Sequence, residues 1–206
     1  MKTINVAILT DGWNRFATMS SLEGMFDRAK ERGISLFITQ FASFGEWCRE
    51  DAFNAGEYSV FSITDYRDFD VVLLDVSDMS PKDVDNRILP IVRKLTVPVL
   101  AIDSKFAGIK SFGQNNHKSI SEMMDHLYNN HGIRSFAFFG GPSSNYEASV
   151  RAQAYTDSLI RFHLNSYENP FYPGNFQYDS GVTNMKKLLK ERGKLPQAIV
   201  CANDAI

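Results

Sequence analysis

The residues with chemistry to offer gather at a few turns. In FGGPSSNYEASVRAQAYTDSL, residues 139–159, a strand end, a turn and a helix follow one another. Arg151 takes a helical position whose neighbours Ala148, Tyr155, Leu159 and Phe162 are mostly apolar. Ser144 and Glu147 spell S-x-x-E, a capping box that starts this helix at Ser144. Two turns in, the guanidinium has two readings. It can reach past the helix start into open space, where its planar fork suits paired hydroxyls or a carboxylate. It can equally pair with Glu147, four residues earlier, or snorkel to water. Asp, Asn and Ser collect in the other turns: Asp11-Gly12-Trp13-Asn14, Asp75-Val76-Ser77-Asp78, Asp103-Ser104, Pro142-Ser143-Ser144-Asn145 and Asn203-Asp204. Such side chains hydrogen-bond hydroxyls and amides. Trp13 and Phe16 supply flat faces for stacking, although both also suit a core and Phe16 heads the apolar stripe of its helix.

Other chemistries fit poorly. Asp11 and Asp75 end strands, as in a phospho-acceptor pocket, but no paired acids open the chain and no late lysine is placed to serve one. The loop after the first strand reads D-G-W-N-R-F, not the G-x-G-x-x-G of a dinucleotide site. Gly140-Gly141 reads as a tight turn. Ser143 and Ser144 lack a G-x-S-x-G elbow. Cys48 and Cys201 lie far apart, and His117, His126, His131 and His163 have no metal-ligand spacing. No nucleophile–base pair can be named, so an enzyme is not expected, and no cofactor is called for.

The elements that carry these turns alternate. Apolar runs at residues 4–10, 34–41, 70–76, 97–103, 136–141 and 197–204 read as strands, most of them buried on both faces. Between them lie helical patterns. Phe16, Met19, Leu22, Phe26 and Ala29 recur at steps of three and four, and Gly33 stops that helix. Ser80 followed by Pro81 caps another, and Pro90 predicts a kink inside it. Residues 46–53 suggest a short helix that breaks at Asn54-Ala55-Gly56. Residues 117–132, 145–162 and 179–193 complete the helices. Alternation with helix-length crossovers predicts parallel sheets covered on both faces. Ligands of such folds sit outside the carboxyl ends of the strands, where the polar turns are.

The 206 residues suit one large domain or two small lobes, and a chain this long buries roughly 70% of its unfolded surface without staples. Hydrophobic residues at 44%, charged residues at 22% and a net charge of −2 are ordinary for a soluble protein and leave no basic footprint for nucleic acid. The opening MKTINVAILTDGW is too short and too early broken for a secretory signal or a membrane span. A reduced, cytoplasmic setting is expected.

Gly141-Pro142, eight residues, then R-x-x-A-Y to Tyr155 resembles the ligand-domain signature of the lactose-repressor and galactose-repressor family, with Ala154 where the family form has Gly. Three further pieces agree in order: VAILTDGWNRFATMSSLEGMFDRAKERG, DVVLLDV followed by VPVLAID, and LPQAIVCANDAI with its A-N-D. The resemblance spans nearly the whole chain. It implies two doubly wound parallel α/β lobes like those of periplasmic sugar-binding proteins, residues 1–113 and 114–206, with the crossing near residues 112–116. It implies a sensing module that closes on a small sugar- or nucleoside-like effector. Arg151 and Asn203 resemble cleft residues of the second lobe, and Asp11, Trp13, Asn14 and Phe16 face ligand from the first. Asp75, Asp103, Asn145 and Asp204 join them as candidates from their loops.

Two departures qualify the resemblance. No helix-turn-helix precedes the first strand, so DNA contact is expected only through a head outside this segment. The chain stops at Ile206, inside the second lobe, so that lobe is expected to be incomplete, and its exposed apolar edges favour self-association, such as a homodimer. The alternatives are a solute-binding protein for transport, or the sensor of a diguanylate cyclase, which FNAGEYSVFSITDYRDFD faintly resembles.

Overall fold

A computed structural model describes residues 2–12, 16–43, 51–77 and 79–206. Contacts divide the chain into two compact units, Met1–Gly113 and Gln114–Ile206.

The first unit carries β1 (Lys2–Asp11), α1 (Phe16–Glu31), β2 (Ile34–Ser43), α2 (Asp51–Tyr58), β3 (Val71–Asp75), α3 (Pro81–Asp83), α4 (Leu89–Val92), β4 (Val99–Ile102) and β5 (Lys110–Phe112). All five strands run parallel in the order β2-β1-β3-β4-β5. Side chains alternate across the pleat, so one strand feeds two cores. Val6, Ile8, Leu73 and Ile102 meet Leu22 of α1 on one face. Ala7, Leu9, Val72, Leu74 and Ala101 meet Tyr58, Phe61, Tyr66, Ile88 and Val92 on the other. That two-sided burial is why the strands read as unbroken apolar runs.

Two expectations are corrected here. Asn54, Ala55 and Gly56 do not end a helix; α2 runs through them to Tyr58, and Asn54 and Tyr58 are its buried side chains. Burial of Asn54 and Tyr58, on either side of Gly56, overrides the weak propensity of a mid-helix glycine. The expected kink at Pro90 takes a particular form. Ser80 caps α3 and Pro81 opens it, and then residues Val84–Ile88 form a π-helical turn in which the Leu89 amide reaches the Val84 carbonyl, five residues back. Proline has no N–H to give residue 86, and the widened turn absorbs that mismatch.

The second unit carries α5 (Asn116–Asn130), β6 (Phe136–Phe139), α6 (Tyr146–Arg161), β7 (Phe171–Tyr172), α7 (Tyr178–Arg192) and β8 (Ala198–Cys201). Its three strands are parallel in the order β7-β6-β8. Phe136, Phe138 and Val200 pack on Met124 of α5 and Tyr155 and Leu159 of α6. Ala137 and Phe139 pack on Tyr172 and Leu188 across the other face. Gly193 closes α7 at φ 65° with its amide on the Leu189 carbonyl, the stop that the sequence placed there. The last strand ends at Cys201 rather than at residue 204.

Candidate ligand site

In each unit the carboxyl ends of the strands gather the polar residues. β1 and β3 are neighbours with Thr10 opposite Asp75, so the carboxylates of Asp11 and Asp75 close adjacent strands. Both are nearly fully buried. Asp75 accepts a 2.6 Å hydrogen bond from Thr18 Oγ1, in the first turn of α1. Tyr58 reaches the same end. Burial pushes its phenol up to about 12, and the carboxylates of Asp83 and Asp11 push in the same direction. Asp83 is buried and fixed by Arg87 Nε at 2.9 Å and by the Ser80 hydroxyl at 2.7 Å.

Asp103 follows β4 with a positive φ of 48°, a conformation that costs a branched or bulky residue more than it costs aspartate. Its amide donates to the Phe112 carbonyl at 2.9 Å. Gly113 makes room for its side chain: a Cβ there would stand 1.9 Å from Asp103 Oδ1. Trp13 and Asn14 lie outside the described residues, and Phe16 is described only as the first residue of α1.

In the second unit Arg151 is part of a closed polar cluster. Its Nε donates to Asn116 Oδ1 at 2.9 Å, Nη1 to the Ala202 carbonyl at 2.6 Å, and Nη2 to Glu147 Oε1 at 3.3 Å. Asn116 Nδ2 donates back to the same Glu147 oxygen at 2.8 Å. The guanidinium therefore ties the start of α5, the first turns of α6 and the end of β8 together, with 18% of its side chain exposed. The pairing with Glu147 anticipated from the four-residue spacing is present. Three of the five guanidinium N–H groups are used, which leaves two.

Asn145, not Ser144, caps α6: its Oδ1 accepts from the Ala148 amide at 2.9 Å, and its side chain is buried. Moving the cap by one residue puts Glu147 at the second helical position, where its carboxylate turns to Asn116 and Arg151 instead of back to the cap. Asn145 thus serves the helix. Asn203 follows Ala202 at the end of β8. Its Nδ2 donates to the Phe176 carbonyl at 3.1 Å, while its Oδ1 is buried with no hydrogen-bond partner. Asp204 is exposed in the turn beyond.

Asp11 and Asp75 stand at one sheet end in the first unit, and Arg151 and Asn203 at one sheet end in the second. Thr18, Tyr58, Asp83, Asn116 and Glu147 were not among the candidates. Glu147 was visible as the i−4 partner of Arg151. Asn116 had a weaker signal, an Asn-Asn pair ahead of an apolar period, and Asn115 proves to be the cap of α5 with its Oδ1 on the Lys118 amide. The first unit offers buried acceptors at its own sheet end, and the second offers fixed donors with an orphan acceptor at its own. Among the described residues no three His, Cys, Asp or Glu side chains converge for a metal ion. No helix among them is long and apolar enough to cross a membrane.

No family model matches the chain. A probable HTH-type transcriptional repressor of Bacillus subtilis strain 168, ExuR, is 24% identical over 145 residues, which are 69% of this chain and 41% of that protein. The lac repressor dimer bound to operator and the anti-inducer ONPF superposes with a TM-score of 0.71 at 18% identity, over 99% of this chain and 66% of that one. The Cra transcriptional dual regulator from Pseudomonas putida, in complex with fructose 1-phosphate, gives 0.67 at 20% identity, over 96% of this chain and 68% of that one. The chain spans about two fifths of the curated relative and about two thirds of these solved structures. Its structural neighbours are LacI-type repressors, its curated relative is a repressor, and the chain has the parallel α/β fold of the lac repressor and its neighbours.

Proposed function

We propose that this chain is the effector-sensing part of a LacI-type transcriptional regulator. Its two units, residues 1–113 and 114–206, act as lobes that hold a small sugar- or nucleoside-like molecule between them and change their relative angle on binding. Such a module transmits a signal only if the effector prefers one lobe arrangement over the other. DNA is reached through a head domain elsewhere in the full protein, the protein works in the cytoplasm as a homodimer, and the module itself catalyses nothing.

The observation that carries this reading is Asn203 Oδ1. A buried amide oxygen without a partner costs about 1–3 kcal/mol, and it stands one residue from the carbonyl that Arg151 holds. A hydroxyl donated by a sugar or nucleoside would satisfy it, and the two unused guanidinium N–H groups would donate to an acceptor oxygen of the same solute. Asp11, Asp75 and Asp103 supply acceptors from the first lobe, joined there by Trp13, Asn14 and Phe16, and Asp204 adds one from the second. The repressor neighbours support the regulatory assignment.

The test is a thermal-shift screen of sugars, sugar acids, sugar phosphates and nucleosides, followed by Asn203→Leu on any hit. Leucine, of similar volume, removes the orphan oxygen and also the Nδ2 bond to the Phe176 carbonyl, opposing changes of about 1 kcal/mol each, so the unliganded protein should keep its melting temperature within a few degrees while the ligand-induced shift falls to near zero. A full ligand shift in Asn203→Leu, or no shift from any compound, would overturn the reading.

A further inference from the structure

The amino end of the three-stranded sheet has its own cavity, of about 330 Å³. Ser135, Pro170 and Pro196 in its wall stand just ahead of β6, β7 and β8, so it lies at the end of the sheet away from Arg151 and Asn203. Arg134, Arg192 and Lys194 line it, with Glu168 as its one acidic residue.

The two arginines are held by neutral groups. The Arg134 guanidinium lies 3.7 Å over the Tyr128 ring and donates to the carbonyls of Tyr128 at 2.7 Å and Ile133 at 2.9 Å. That of Arg192 lies 4.6 Å over the Tyr167 ring and donates to the Tyr167 carbonyl. Lys194 is exposed, two residues beyond α7. None of the three belongs to an ion pair among the described residues. Ring faces and carbonyls orient a guanidinium without neutralising it, so its charge stays available. Three cations less one carboxylate leave +2 around one concavity, in a chain whose net charge is −2. The C-terminal pole of α7 works against an anion here, but it amounts to about half a charge. Helix-end basic residues commonly serve that pole; here a third cation, Arg134, comes from the approach to β6 and faces the same space.

We infer that this cavity is a second small-molecule site, which takes a compact dianion: a phosphate ester or a short dicarboxylate. Its volume lies at the lower end of the range for ligand pockets, large enough for a small organic anion and small for a peptide. The site is independent of the effector site proposed above.

Isothermal titration of the protein with inorganic phosphate and with malonate, at constant ionic strength against chloride, tests it. Saturable one-to-one binding of at least one dianion is expected, and the one that binds assigns the class. Lys194 and Glu168 are both exposed, so their variants should fold, as circular dichroism can verify. Lys194→Gln should weaken binding about fivefold and Glu168→Gln should tighten it about as much, as expected for single charges at a partly solvated site. Asn203→Leu, which alters the other end of the sheet and keeps the fold, should leave it unchanged. The inference is overturned if neither dianion saturates, if Lys194→Gln and Glu168→Gln both leave affinity where it was, or if Asn203→Leu abolishes binding, which would place the anion at the other end of the sheet.

Discussion

Replacing Arg151 by methionine keeps most of the aliphatic stem and removes every donor. The wild-type guanidinium makes bonds of 2.9 Å to Asn116, 2.6 Å to Ala202 and 3.3 Å to Glu147, with less than a fifth of its side chain exposed. Hydrogen bonds from a charged donor contribute about 1.5–3 kcal/mol each and neutral ones about 1. Taking the low end for the two shorter bonds gives about 3 kcal/mol. The longer contact to Glu147 adds up to about 1 kcal/mol, as for an ordinary i,i+4 pair. Relief from burying the charge returns part of this, so the net loss should be about 2–4 kcal/mol. Urea denaturation followed by circular dichroism measures it. The three tied elements all belong to the second unit, so the loss should appear in that unit's transition if the two melt separately. A cycle with Glu147→Gln should show coupling of about 1 kcal/mol, because each change removes one end of the same ion pair. A loss below about 0.5 kcal/mol in Arg151→Met would refute the clamp and mean that water replaces the guanidinium at no cost.

Two further outcomes follow from local geometry. Asn145→Ala should cost about 1 kcal/mol in urea melts by removing the cap of α6, while Ser144→Ala, at an exposed position outside the cap, should stay within about 0.5 kcal/mol; equal losses would return the cap to Ser144. Burial raises the phenols of Tyr58 and Tyr66 from 10.0 to about 12, and that of Tyr155 further. Each holds its proton more tightly folded than unfolded, so stability is intact below pH 10.0 and falls as pH climbs toward 12. Absorbance at the tyrosinate band should show these three of the eight tyrosines ionising together with unfolding, and their titration before the loss of circular dichroism would contradict it.

The long buried strands were legible because two-sided burial writes itself as an unbroken apolar run. Two strands were not. β7 is two residues, Phe171 and Tyr172, too short to show a period, and β5 reads K-S-F, exposed throughout, so only its pairing with β4 makes it a strand. Helix α2 was misjudged at Gly56 because tertiary anchoring by Asn54 and Tyr58 outweighs local propensity. In the candidate site, the strand-end carboxylates and Arg151 could be found by their positions in the pattern. Apart from Glu147, their partners could not, because Thr18 and Asp75 are 57 residues apart and Asn116 and Arg151 are 35 apart, and only the fold brings such pairs together. The cap of α6 was displaced by one residue because serine and asparagine both accept the same amide, and backbone geometry chooses between them.

The widened turn at Val84–Ile88 leaves the packing around it intact. Val84 and Ile88 before Pro90 and Val92 after it share one core with Leu89. Side chains four apart drift only about 40° around a helix, so one loosened turn keeps all of them on the same side. The segment therefore carries an imino acid in its middle, at an exposed position, without wetting its dry side. Restoring a donor there with alanine would leave those four side chains where they are.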